Sequence, residues 1–157
     1  MTQPCAPGDS PSELQAHLGY WLRMVSNAVS QSFARKVEAE SVTVAEWVFL
    51  RVLYDAEGIS PSQLAARMSM TRGAISKLAD RLVEKGLVGR QSDVEGGRGQ
   101  LLGLSPAARA LVPRLAELAD ENDAAFFEAL SGDERRILEQ LLRKIVLDRE
   151  LSQPPIE

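Results

Sequence analysis

Arg72, Gly73, Ser76 and Lys77 bring cations, a hydroxyl and a residue without a side chain together at helical spacing. Such a set makes and breaks no covalent bond, but it can hydrogen-bond base edges while the backbone approaches a nucleic acid closely. Further along, the stretch SDVEGGRGQLLGLSP, Ser92 to Pro106, breaks into glycines around a single arginine, Arg98. An arginine on a glycine-rich turn suits the concentrated negative potential of a DNA minor groove. Catalysis has no comparable foothold. The chain shows no Ser/His/Asp order in a motif context, no Cys/His pairing outside the N-terminal tail and no carboxylate pair in a recognisable setting. EGGRGQ lacks the Gly-Lys-Ser/Thr ending of a phosphate-binding loop, and one His with one Cys cannot supply a usual zinc ligand set. The chain therefore reads as a non-enzyme with no cofactor and no metal.

Helix starts are legible in the punctuation. SPSE from Ser10, TVAE from Thr43, SPSQ from Ser60 and SGDE from Ser131 each pair a capping hydroxyl with Glu or Gln three residues on. Ser105 keeps the cap and the following proline, and Thr71 is a sixth cap. Six starts predict about six helices. The first runs from Pro11 to Val37 with Leu14, Leu18, Leu22, Val25 and Val29 on one stripe. The second, VAEWVFLRVLY, is apolar nearly all round and is expected at the centre of the core. In the fourth, Ile75, Leu78, Ala79 and Leu82 face inward and Gly86 ends the helix. LVGRQ and QLLGL flank the glycine-rich turn as two short strands. Pro113 inside the fifth helix is expected to bend it.

The order of short helix, brief link, second helix with a polar outer face, and hairpin is that of a winged helix-turn-helix. The fold class is mainly α: about six helices and a β-hairpin wing, the N- and C-terminal helices forming a dimerization part. Residues 1–10 and 151–157 read as tails around one domain, 11–150, with the winged helix over about 43–104 and the dimerization part over about 11–37 and 106–150.

Charge supports the same assignment once it is read locally. The 157 residues carry a net −4, which taken alone argues against nucleic acid. Between Ser60 and Gln100, however, seven Lys/Arg stand against four Asp/Glu, a local +3 that leaves −7 elsewhere. The beginning of the chain lacks a secretory pattern, and no apolar run has transmembrane length, so the expectation is a cytoplasmic protein without a membrane partner. Cys5, the one cysteine, reads as a tail thiol.

From GYWLRMVSNAV in the first helix to SPAARAL in the fifth, the sequence resembles the MarR family of bacterial transcription regulators. The specific parts are SPSQLAARM, LADRLVEKGLV and the wing pattern of Asp93, Arg98, Leu104 and Ser105. The resemblance implies a homodimer on a pseudo-palindromic operator in double-stranded DNA, released or adjusted by a small, often aromatic, effector. Two residues depart from the family pattern: Gly97 precedes Arg98 where a second arginine is common, and Ala74 stands where a threonine is common.

The resulting assignment has Gly73, Ala74, Ser76 and Lys77 at base edges, with Ser62, Thr71, Arg72 and Arg90 on phosphates. Arg98 enters the minor groove and Asp93 supports the wing by pairing with a guanidinium. His17, Trp21, Met24, Trp47 and Arg51 are the candidate ligand pocket, aromatic walls with one cation. Leu111, Leu115, Leu118, Asn122 and Ala125 have the spacing of a helical seam, either an intramolecular stripe or part of a dimer contact. With Leu138, Leu141, Leu142 and Ile145 in the last helix, the expectation favours a dimer. A winged-helix module that binds protein rather than DNA, through its acidic remainder, is the alternative reading.

Overall fold

The computed structural model describes residues 11–92 and 99–151. A 3-10 turn, Leu14–Ala16, leads into α1 (Leu18–Glu38), followed by α2 (Val44–Tyr54), α3 (Pro61–Met68) and α4 (Arg72–Glu84). A hairpin of β1 (Val88–Ser92) and β2 (Gln100–Leu104) precedes α5 (Pro106–Phe126) and α6 (Gly132–Asp148). Six helices and an antiparallel hairpin make this the winged-helix arrangement expected from the sequence.

Local chemistry sets these limits. Thr43, Ser60 and Ser131 each close a complete capping box, with Glu46, Gln63 and Glu134 returning the hydrogen bond to the cap. Thr71 and Ser105 accept from the amides of Ala74 and Ala108. At the other ends of α1, α3 and α4 the chain turns through left-handed residues. Gly86 (φ 70°) ends α4 with the Leu87 amide bonded to the Leu82 carbonyl and the Gly86 amide to that of Val83. The same pair of bonds closes α1 at Ser41 and α3 at Ser69, where the left-handed residue is a serine.

The hairpin register runs from Val88 opposite Leu104 to Ser92 opposite Gln100. Leu102 also exchanges backbone bonds with Ile59, a third rung between α2 and α3 that the sequence reading did not anticipate. One continuous apolar core joins Val37 of α1, Phe49, Leu50 and Leu53 of α2, Leu64 and Met68 of α3, and Ile75 and Leu82 of α4 to Leu102 and Leu115. α2 is the central helix, as expected, and α5 runs through Pro113 without interruption.

Two expectations are corrected. The first helix starts at Leu18 rather than Pro11, and its cap position, His17, makes no side-chain bond. Leu14 and Leu18 are 72 % and 81 % exposed, so within one chain that stripe has nothing to pack on, and helices draw most of their stability from packing. The second correction concerns the seam on α5. Leu115, Leu118 and Asn122 are buried inside the chain, against α1 in the case of Asn122, whose Nδ2 donates to the Val29 carbonyl at 3.3 Å. That stripe is intramolecular, and Ala125 is exposed. The Asn122 Oδ1 has no partner among the described residues.

Unsatisfied apolar surface lies elsewhere. α6 buries none of its side chains: Ile137, Leu141, Leu142, Ile145 and Val146 are all exposed, and Leu138 is half-buried. Leu22, Met24 and Val25 on the first half of α1 are exposed as well. No helix among the described residues is long and apolar enough to cross a membrane.

Candidate nucleic-acid interface

The first turns of α4 present the groups that sequence reasoning singled out. Ile75, Leu78, Ala79 and Leu82 lock one face into the core, so Arg72, Gly73, Ser76 and Lys77 are turned outward and exposed, with Ala74 half-buried beside them. Arg72 and Lys77 form no ion pair among the described residues. A Cβ built on Gly73 meets no heavy atom within 4 Å, so the fold itself leaves that position open. Thr71 spends its oxygen on the Ala74 amide at 3.2 Å, while its hydroxyl proton remains free to donate. Ser62, in the first turn of α3, is exposed beside the Ser60 cap. Helix N-termini carry unpaired amides that favour phosphate, and Ser62 and Arg72 stand in the first turns of α3 and α4, two helices joined by a short turn.

The wing is joined to this helix by a contact absent from the sequence reading. Arg90 Nη2 on β1 pairs with Asp80 Oδ1 on α4, so Arg90 is occupied within the chain rather than free for phosphate. Both side chains are exposed, at 39 % and 62 %, and such pairs contribute about 0–1 kcal/mol, little enough for a phosphate to displace the carboxylate. Asp93, expected to pair with a guanidinium, and Arg98 lie outside the described residues.

Lys85 also departs from the basic face. Its Nζ lies 2.8 Å from Glu46 Oε2 and 2.9 Å from the Ser41 carbonyl, so it points away from the cations of α4 and into the α1–α2 corner. Glu46, 1 % exposed, is the buried carboxylate of this corner. Burial pushes its carboxyl up, but the Lys85 hydrogen bond, the Thr43 amide and the charges of Lys85 and Arg81 together outweigh burial and hold it below the ordinary value of 4.5. A carboxyl depressed by folding adds stability that is present above its unfolded value and lost as pH falls through the folded one. Glu46→Gln is therefore expected to be less stable than the natural chain at neutral pH. The gap between the two narrows below about pH 4.5, which thermal unfolding across pH 3 to 7 would measure. A gap that stays constant down to pH 3 would contradict the assignment. The capping motif made Glu46 legible as a helix-start residue, whereas its burial and its pairing with a lysine 39 positions away were not.

The five pocket candidates occupy different settings along α1 and α2. His17, Trp21 and Met24 are exposed on and before the first turns of α1, and Trp21 Nε1 donates to the Gln15 carbonyl at 2.9 Å. Trp47 is half-buried edge-on to Phe33, ring centres 6.4 Å apart. Arg51 pairs with Asp55 at 2.5 Å and lines a different cleft, about 680 Å³, with Val52, Ala66, Arg67 and Ser69. No group of His, Cys, Asp and Glu among the described residues could hold a metal ion.

The MarR family profile matches residues 41–99, from just before the α2 cap to the residue preceding β2. A Thauera aromatica protein named as a candidate transcriptional regulatory protein for the hcr operon is 31 % identical over 133 residues, covering 84 % of this chain and 80 % of its own. The chain belongs to the MarR family. Another relative, an HTH-type transcriptional repressor of Mycobacterium tuberculosis, is 29 % identical over 133 residues, with 85 % of this chain and 96 % of its own covered. Among solved structures, a mutant of Escherichia coli MarR complexed with operator DNA superposes with a TM-score of 0.73 at 28 % identity, covering 82 % of this chain and 93 % of that one. As a MarR-family protein the chain is a transcriptional regulator, and its winged helix is the family's DNA-binding fold.

Proposed function

We propose that this chain is a homodimeric repressor that places α4 of each protomer in successive major grooves of a pseudo-palindromic operator. The observation that carries the reading is the outer face of α4. Exposed cations and a hydroxyl surround an unobstructed glycine at the end of the helix that a groove about 12 Å wide can admit. Gly73, Ala74, Ser76 and Lys77 meet base edges, while Ser62, Thr71 and Arg72 hold phosphates. Arg90 exchanges Asp80 for phosphate on binding, and Arg98 enters the minor groove with Asp93 supporting it. The apolar faces of α6 and of the first half of α1 support the dimer, because monomers rarely leave so much apolar surface in water. The repressor assignment is supported by the mycobacterial relative's name, and operator binding by the complex of the Escherichia coli relative. The effector in this reading is a small aromatic ligand that weakens operator binding.

Retention on duplex DNA tests this against a protein-binding module. The purified chain is expected to bind immobilised duplex from the region upstream of its own gene at about 50 mM salt and to be released by about 200 mM, as counterion release requires. Arg98→Ala elutes earlier. Absence of retention, or elution unchanged by Arg98→Ala, would favour the interaction module.

A further inference from the structure

The DNA-binding reading makes no use of the buried carboxylate at the α1–α2 corner, yet the ends of four helices meet around it. Glu46 Oε2 accepts the Thr43 amide at 2.9 Å, which starts α2, and Lys85 Nζ at 2.8 Å, from the residue that caps α4. Lys85 Nζ also donates to the carbonyl of Ser41, the left-handed residue that ends α1. One residue on, the Gly86 carbonyl accepts the Ser105 hydroxyl at 2.7 Å, and Ser105 caps α5. The end of the recognition helix is thus bonded to the end of α1 and to the start of α2 and of α5.

We infer that Glu46 and Lys85 are positioning residues that fix the angle of α4 against the dimerization helices, and so set the half-site spacing that the dimer accepts. This rests on the proposed dimeric binding to DNA. Beyond the Ser105–Gly86 bond and the exposed Asp80–Arg90 pair, which ties α4 to the wing rather than to the dimerization helices, the grip on α4 comes from Ile75, Leu78, Ala79 and Leu82, and apolar contact is non-directional. Bonds from Lys85 to a carboxylate and a carbonyl are directional, and they act at the end of α4 opposite to its DNA-facing turns. A 13-residue helix is about 20 Å long, so a tilt of ~10° about its C-terminal end moves its N-terminus by roughly 3.5 Å. In a two-fold dimer both helices move, and the change in their separation approaches the axial length of about two base pairs.

A double variant separates positioning from stability. Glu46→Gln alone keeps an acceptor for the Thr43 amide but leaves the Lys85 ammonium without its counter-charge, and Lys85→Met alone leaves a buried carboxylate without its cation. Each single change is expected to lower the melting temperature. Glu46→Gln with Lys85→Met leaves neither charge alone and is expected to recover most of that loss. The probe is the duplex that the natural protein enriches from a random-sequence library, resynthesised with its centre lengthened or shortened by one base pair. For the natural protein and for Lys85→Arg, each change of spacing is expected to weaken binding at least about 10-fold, since one base pair turns a half-site by roughly a tenth of a helical turn. For the double variant the penalty falls to about 3-fold or less, a flattening that loss of stability does not produce. Should the double variant fail to fold, Lys85→Gln gives the same flattening, because the side chain it alters is 37 % exposed. A spacing profile unchanged from the natural protein in the folded variant overturns the inference alone. Failure of the natural protein to enrich any duplex overturns the DNA reading, and this inference with it.

Discussion

Glutamate at position 73 is expected to leave the fold intact and to weaken operator binding at least about 100-fold, equivalent to ~2.8 kcal/mol. The two halves of that result have separate causes. Gly73 lies in the first turn of α4, a Cβ there meets nothing within 4 Å, and the position does not require a left-handed backbone. Glycine in a helix costs about 0.5–1 kcal/mol relative to alanine, and a carboxylate near a helix N-terminus is favoured by the macrodipole. Gly73→Glu is thus expected to melt no lower than the natural chain. On DNA the same carboxylate would stand between α4 and the bases, displacing backbone from the groove floor and facing phosphates of its own sign. Gly73→Ala, which adds bulk without charge, is expected to lose about 10-fold or less while gaining stability. Fluorescence anisotropy on the enriched duplex and a thermal melt read the two effects separately. Equal affinity of Gly73→Glu and the natural chain would place the first turn of α4 outside the groove.

The second large effect belongs to α6. Leu141→Glu combined with Ile145→Glu is expected to raise the dimer dissociation constant at least about 1,000-fold, or ~4 kcal/mol, while the melting of the monomer fold changes little. Ile137, Leu141 and Ile145 recur every four residues and are 55 %, 54 % and 50 % exposed, so within one chain they have little to lose. Against a second copy, each contributes on the order of 1.5–3 kcal/mol of apolar burial, and symmetry counts every substitution twice. A carboxylate forced into that contact without a partner costs several kcal/mol more. Sedimentation equilibrium reads the outcome directly, and a double variant that sediments as the natural chain does would move the proposed interface off this face.

What the sequence made legible follows from where the determining physics is local. Thr43, Ser60, Thr71, Ser105 and Ser131 cap helices because a hydroxyl and an amide three residues on are neighbours whatever the rest of the chain does. The outward face of α4 was legible because four apolar residues at helical spacing fix its rotation. Ser41 and Ser69 were not legible as left-handed stops: glycine announces that conformation and serine does not, so only tertiary packing selects it here. The start of α1 was misplaced for a related reason, since its apolar stripe has the helical period but no intrachain partner. On α5, the period alone could not say whether Leu115, Leu118 and Asn122 face the same chain or another, and α1 supplies the intramolecular answer. The pairs Arg90–Asp80 and Lys85–Glu46 join elements that only folding brings together, and each gives a cation of the basic stretch a carboxylate partner within the chain.

Hydroxyl-radical footprinting on the DNA upstream of the protein's own gene tests the central claim most directly. A dimer presenting two α4 helices is expected to protect two half-sites related by a two-fold axis, their centres 10–10.5 base pairs or a multiple apart. Gly73→Glu is expected to erase both together. Protection of a single, asymmetric segment, or none at a salt concentration where nonspecific binding already occurs, would contradict the account.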